Sequence, residues 1–184
     1  MLEGEKIYLK PIDYGDEETL YKIVNTEGME HMNGKIQGIT REEARRWVED
    51  IAKDALSSKK EKYSFLAIDK ASKTAVGLVL FNINNFKSRY AGIGYGFIPT
   101  YRKKGYATEA VRLILEFAFK ELNMETVYAG ADHNNIASQK TLLKAGFKKE
   151  GKIHRKGYLY GQYIDAIYFY MTKRMWLQRS AGND

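Results

Sequence analysis

The chain has 184 residues, 44% of them apolar, with two prolines, no cysteine and a formal charge of +7 from 30 basic and 23 acidic side chains. That length suits one domain able to bury about two-thirds of its unfolded surface, and the apolar content excludes a disordered chain. The lack of cysteine excludes disulfides, thiolate metal sites and a cysteine nucleophile, no stretch approaches the roughly 20 apolar residues of a membrane span, and the start, Met1-Leu-Glu-Gly-Glu-Lys6, lacks the basic and apolar regions of a signal peptide, so a soluble cytoplasmic protein is expected.

Residues 6–12 alternate apolar and polar, with Ile7 and Leu9 on one side, and read as a strand. Residues 16–24 and 40–56 read as helices. The second opens Thr40-Arg-Glu-Glu43, a capping box with Thr40 as N-cap. Between them the glycine-bearing stretch 28–38 reads as a loop. Residues 63–69 and 75–84 read as paired strands around a turn at 70–73, and 90–98 as a third. The segment 107–122 carries Ala110, Ile114, Phe117, Ala118 and Leu122 at helical spacing. A short buried strand at 127–131 follows, then a helix at 136–145 closed by Gly146. Strands near 147–154 and 163–171 finish an α/β layered sheet of mixed direction. No repeat or linker interrupts the pattern, so one domain is expected over 1–177, with a polar tail at 178–184 that frays.

Much of the positive charge is concentrated. Between 139 and 156 there are seven basic residues (Lys140, Lys144, Lys148, Lys149, Lys152, Arg155, Lys156) against Glu150 alone, and Arg102, Lys103 and Lys104 add three more. Such clusters fit nucleic acid, an acidic membrane, a polyanionic small ligand, or a solvated lysine-rich face. Gly92, Gly94 and Gly96 fall two residues apart, so one face of their strand carries no side chains. That face admits a tight helix crossing, a bulge, or an extended ligand. Directly after it comes Pro99-Thr-Tyr-Arg102-Lys103-Lys104-Gly105-Tyr106-Ala107-Thr108. A strand that turns through Arg-x-x-Gly-x-Ala into a helix start offers unpaired N–H groups and the positive end of the helix dipole to a phosphate or pyrophosphate. Gly105 lets the backbone approach without a Cβ, and Ala107 adds only a methyl.

The segment from Ile93 to Phe147 resembles the GNAT superfamily of acyl-CoA-dependent N-acyltransferases. Its phosphate-binding signature, Gln/Arg-x-x-Gly-x-Gly/Ala, is matched by Arg102-Lys-Lys-Gly105-Tyr-Ala107, and a second motif follows as Asn135-x-x-Ser138-x-x-x-Leu142-x-Lys144-x-Gly146-Phe147. Tyr106-Ala-Thr-Glu-Ala and Gly161-x-Tyr163-x-Asp165 are similar to the branch holding ribosomal-protein N-terminal-alanine and polyamine acetyltransferases. The resemblance spans nearly the whole chain and is weakest over 13–60. It implies a single-domain fold with a mixed six- to seven-stranded sheet and helices on both faces. It also implies acetyl-CoA as co-substrate, without a metal. The pantetheine would pair with backbone groups at Phe97 and Ile98, and the amides from Lys103 through Lys104, Gly105, Tyr106 and Ala107 to Thr108 would hold the pyrophosphate beside Arg102. Asn135 would flank the pantetheine arm, with Lys103, Lys104 or Lys140 as candidates for the 3′-phosphate. The basic clusters then need neither nucleic acid nor membrane to account for them.

Transfer to an amine needs a neutral nucleophile and a proton for the departing thiolate. Many family members place a tyrosine acid at the position of Leu142. Ser138 is the alternative that the resemblance supplies, its other role being a small residue beside CoA. Relatives often carry a glutamate where this strand has Gly92. Glu30, Asp132, Asp165, His31 and His133 remain as candidate bases. An α-amine with a pKa near 8 is about a tenth neutral at pH 7, whereas a lysine-like amine near 10.4 is neutral only about 0.04% of the time. The missing base therefore favours a peptide or ribosomal-protein N-terminus. A polyamine would instead need an acidic pocket, which Asp13, Asp16, Glu17, Glu18, Glu27 and Glu30 could supply, and a ribosome- or RNA-binding module is the third alternative. The tyrosine-rich segments 158–160 and 168–170 suit a homodimer face or a substrate wall.

Overall fold

The computed structural model describes residues 1–29, 38–159 and 161–181. Among the described residues eight strands and five α-helices occur in the order β1 (Leu2–Glu3), β2 (Ile7–Pro11), α1 (Glu17–Val24), α2 (Arg41–Ala55), β3 (Lys62–Asp69), β4 (Ala75–Asn85), β5 (Tyr90–Phe97), α3 (Tyr106–Glu116), β6 (Thr126–Asp132), α4 (Ile136–Ala145), β7 (Lys148–Leu159), β8 (Gln162–Thr172) and α5 (Lys173–Ala181). Hydrogen-bonded neighbours follow the order β1-β2-β3-β4-β5-β6-β8-β7. The class is mixed α/β, as expected, with one or two strands more than the six or seven anticipated. The chain divides into two compact units, Met1–Asn82 with Gly94–Ala110, and Ile83–Ile93 with Val111–Asp184.

In the first unit β1, β2, β3 and β4 pair antiparallel, with Leu9 opposite Ala67 and Phe65 opposite Val79. The alternation read in β2 is real: Ile7 and Leu9 are fully buried. Helix α1 contributes Leu20, Ile23 and Val24, and α2 contributes Ala44, Val48 and Ile51, to a core closed by Leu66, Ile68 and Leu78. The capping box forms as the sequence dictates. The Thr40 side chain accepts the Glu43 amide at 3.1 Å, and Glu43 Oε2 accepts the Thr40 amide at 2.8 Å. Between β3 and β4 the chain reverses through Lys73 at φ 59°, with the Asp69 amide donating to Thr74 O at 2.9 Å. Gly77 on β4 is required by close approach, since a Cβ there would lie 2.6 Å from Gly96 O.

In the second unit β5 begins parallel to β6, from Tyr90 opposite Thr126 to Ile93 opposite Ala129. β8 lies antiparallel to both β6 and β7. Phe119, Val127, Leu142, Phe147, Ile167 and Phe169 are among its buried side chains. The helix expected over 107–122 is α-helical only to Glu116. The turn Phe117–Glu121 is a π-helix, in which the Leu122 amide reaches back to Phe117 O at 3.1 Å. β7 is longer than expected because its register is broken twice, between Lys149 and Gly151 and between Ile153 and Gly157. The tail expected to fray after Leu177 is helical as far as Ala181. Arg179 in that helix donates to Lys144 O at 3.1 Å, and Trp176 packs 5.6 Å from Phe119.

Candidate active site

The anion loop lies in the first unit. β5 leads through half-buried Ile98 into a 3₁₀ turn, Pro99–Tyr101, and the loop Arg102–Gly105 then delivers the chain to α3 at Tyr106. Lys103 at φ 62° and Gly105 at φ 89° are both left-handed. Arg102 before them is extended, at φ −72° and ψ 165°, and a turn at a helix start can set successive N–H groups toward one side as an anion nest. Gly105 stands at the helix N-cap, its carbonyl accepting the Glu109 amide at 3.1 Å. The amides of the turn ahead of Glu109 are those a helix leaves without an intrahelical acceptor. Gly105 is exposed, and the nearest atom to a Cβ there would be Lys6 Nζ at 3.8 Å. An open, positively flanked helix start of this kind fits a pyrophosphate.

Three side chains fasten this loop to other parts of the same unit. Arg102 Nε donates to Phe97 O at 2.8 Å, and its Nη2 donates to Gly28 O at 2.7 Å, so the motif arginine is a brace between backbone carbonyls. Glu109 Oε1 accepts the amides of Lys6 and Ile7 at 2.8 and 3.2 Å. Tyr106, 9% exposed, donates its hydroxyl to Asp69 Oδ1 at 2.7 Å. Asp69 is itself 7% exposed, at the end of β3, and its other oxygen accepts both the hydroxyl and the amide of Ser72. The Ser72 and Tyr106 hydroxyls hold the Asp69 carboxyl down to about 2, and in return that carboxylate raises the Tyr106 phenol above its ordinary value. The ammonium of exposed Lys104 sits 4.8 Å over the Tyr101 ring, and Lys103 is exposed. Ala107 and Thr108 are half-buried, and Phe97 is buried.

Asp69 and Glu109 were invisible as site residues in the sequence. Asp69 carried a local signal, an Asx-type turn with Ser72 three residues on. Its partner Tyr106 is 37 residues away, which no local pattern reveals.

Among the described residues the glycine face of the strand that feeds the loop is open at Gly94. A Cβ at Gly94 would meet nothing within 4 Å, and one at Gly92 only the Asn84 side chain at 3.7 Å. No helix of the described residues crosses at Gly94, where contact within that radius would be required.

The second motif lies in the other unit. Asn135 is the N-cap of α4, its side chain accepting the Ser138 amide at 3.0 Å. Gln139 Nε2 donates to Asp132 O and His133 O, fixing the approach to the helix. Ser138 is half-buried in the first turn and Lys140 is exposed. Leu142, at the position where a tyrosine acid stands in many relatives, is fully buried as a core side chain. Gly146 ends the helix at φ 100°, with the Phe147 amide donating to Leu142 O at 3.0 Å.

The candidate bases divide by environment. Asp165 accepts from Lys152 Nζ at 2.7 Å and from the Arg155 amide at 2.9 Å, with His154 Nδ1 3.3 Å away. The lysine and that amide hold its carboxyl at about 2, far too low for it to take a proton at neutral pH. Asp132 Oδ1 accepts the Asn134 amide at 2.7 Å, and His133 is exposed. Glu30 and His31 lie outside the described residues. Of the acidic residues near α1, Asp16 is paired with Lys10 at 2.5 Å, and Glu18 with Arg41 at 3.1 Å and Lys22 at 3.6 Å. Among the described residues no helix is long and apolar enough to cross a membrane.

A model of the acetyltransferase (GNAT) domain matches residues 6–148. A probable N-acetyltransferase of Bacillus subtilis (strain 168), YjcK, is 32% identical over 165 residues, 82% of this chain and 85% of its own. The crystal structure of the ribosomal-protein-S5-alanine acetyltransferase from Vibrio fischeri superposes with a TM-score of 0.81 at 22% identity, over 93% of this chain and 95% of that one. The spermidine N-acetyltransferase from Vibrio cholerae, in complex with CoA and spermine, gives 0.80 at 20% identity, over 94% and 98%.

Proposed function

We propose, from the premise that the chain belongs to the GNAT acetyltransferase family and is an acetyl-CoA-dependent N-acetyltransferase, that its acceptor is the α-amine of a peptide or protein N-terminus, of the ribosomal-protein-alanine kind. The pyrophosphate of the donor binds the amides of 103–108, and the pantetheine pairs with backbone at Phe97 and Ile98. The free amine attacks the thioester carbonyl carbon, the C–N bond forms, and the C–S bond breaks as the tetrahedral intermediate collapses. The amine gives up a proton to solvent, and the departing thiolate takes one from the Ser138 hydroxyl, directly or through water, as solvent returns a proton to that hydroxyl.

What supports an α-amine is the state of the carboxylates. Gly92 brings no side chain to the strand, and Asp165 is held as a carboxylate at about 2. Asp16 and Glu18, two of the carboxylates that a polycation pocket would draw on, are engaged by neighbouring cations. A substrate that is about a tenth neutral at pH 7 tolerates such a site, whereas one neutral about 0.04% of the time does not. The polyamine reading has its own support in the likeness to a spermidine acetyltransferase crystallised with spermine.

The test is release of free thiol from acetyl-CoA in steady state. Peptides beginning with alanine or serine are compared with spermidine and with N-acetylated peptide controls. A kcat/KM for the free peptide well above that for spermidine is expected. Turnover of spermidine with peptide no better than buffer overturns the α-amine assignment while leaving the acetyltransferase intact.

A further inference from the structure

We infer that Asp69 and Tyr106 form a buried clasp that sets the affinity for acetyl-CoA, Tyr106 acting as a positioning residue for the phosphate-binding amides; this rests on the assignment of the 103–108 loop to the donor pyrophosphate. Tyr106 is the first residue of α3 and is flanked in sequence by Gly105 and Ala107, whose backbone is read as touching the anion. The phenol points away from solvent and ends on a carboxylate at the far end of β3, 2.7 Å away. Burying an ionised carboxylate is costly unless its oxygens are satisfied. Here they are, by Tyr106 on one oxygen and by Ser72 on the other.

One carboxylate oxygen caps the β3–β4 turn by accepting from Ser72, and the other is left for Tyr106. What the carboxylate adds is a strong charge-assisted bond to the first residue of a helix whose N-terminal amides must converge on a doubly charged ligand. The neighbouring backbone is the part of the loop most in need of such a tie, because Gly105 at φ 89° has no side chain to restrain it. Arg102 and Glu109 hold the two flanks of the loop through backbone groups of 97, 28, 6 and 7. Tyr106 holds its centre. The ring also lies 6.5 Å, centroid to centroid, from both Phe97 and Tyr101. A site whose donors are already in place does not spend binding free energy on ordering them.

Tyr106→Phe keeps the ring and removes only the hydroxyl. Acetyl-CoA affinity of the full chain is measured by calorimetry, with kcat, both KM values and thermal midpoint determined alongside. The expected result is a dissociation constant and KM for acetyl-CoA raised about tenfold, with kcat and the acceptor KM within about twofold. Asp69→Ala should give a similar loss, and the double variant should bind no more weakly than the weaker single variant, the signature of one shared interaction. Should Asp69→Ala not fold, Tyr106→Phe decides alone. A lowered thermal midpoint with acetyl-CoA affinity unchanged would reduce the clasp to a structural bond and overturn the inference. Failure of the unaltered protein to bind acetyl-CoA would overturn the loop assignment and the clasp together, which separates the two failures.

Discussion

Gly105 combines three demands in one position: a left-handed backbone at φ 89°, an exposed amide and the positive end of α3. Gly105→Asp conflicts with each of them, adding a Cβ at a φ that L-residues avoid and a negative charge where an anion is to bind. It should weaken acetyl-CoA binding by on the order of a hundredfold or more. Gly105→Ala, which has the strain without the charge, should fall between. Titration of each variant with acetyl-CoA checks both, and an unchanged affinity for the aspartate variant would remove the loop from the donor site. Ser138 poses a different question, because its amide is engaged by Asn135 and its hydroxyl is the group proposed to serve the chemistry. Ser138→Ala should lower kcat by about tenfold or more while leaving donor affinity within about twofold. Equal loss in both would make Ser138 a contact residue. The motif spacing made Gly105 and Ser138 legible in sequence, since each owes its position to a local turn or cap. Arg102 was legible as a position but not as a partner: its hydrogen bonds run to Phe97 O and Gly28 O, and the second spans 74 residues.

The elements divide by the same rule. α2 was readable almost to the residue because its start is written in four consecutive side chains, and the capping box is present with both of its bonds. Thr40→Ala should therefore cost about 1 kcal/mol, measured as a shift in the denaturant midpoint with unchanged slope. Glu43→Gln should cost less, since the amide can still accept from the Thr40 N–H. The β3–β4 hairpin and α4 were readable for the same reason, through a turn at Lys73 and a glycine at 146. β7 was not. Its second register break sets His154, Arg155 and Lys156 against Asp165 alone, and the Asp165 carboxylate gathers the Arg155 amide, the Lys152 ammonium and the His154 ring. Arg155, at φ 51°, gives its amide to Asp165 and lays its guanidinium 3.9 Å over the Tyr163 ring. A run of basic residues reads in sequence as a solvated face, and only the partner strand shows that part of it is tied down. α5 was missed because its stabilising contacts, Trp176 on Phe119 and Arg179 on Lys144 O, are made with residues more than thirty positions earlier.

At the scale of the molecule, each unit contains, among the described residues, one carboxylate held at about 2: Asp69 in the first and Asp165 in the second. Both titrate near 3.8 in the unfolded chain. A carboxyl whose folded pKa is depressed contributes stability that is complete above its unfolded value and is lost as pH falls through its folded value. Stability should therefore be flat above about pH 5 and decline from about pH 4 to pH 2. The excess positive charge deepens that decline as the other carboxylates protonate. β4, β5 and α3 each begin in one unit and end in the other, so neither unit owns a complete set of its elements. Unfolding should then be a single transition, and a change in one unit should move it as a whole. Asp165→Asn removes the charge that Lys152 and the Arg155 amide stabilise. It should lower the thermal midpoint at pH 6 and flatten the decline between pH 4 and 2, because the variant has one fewer proton to take up on unfolding in acid. Wild type and variant should approach each other toward pH 2. Midpoints recorded by calorimetry at half-unit steps from pH 6 to 2 give the comparison directly. Parallel curves would show that Asp165 does not carry the acid sensitivity, and two resolved transitions, only one of them shifted, would show that the units unfold separately.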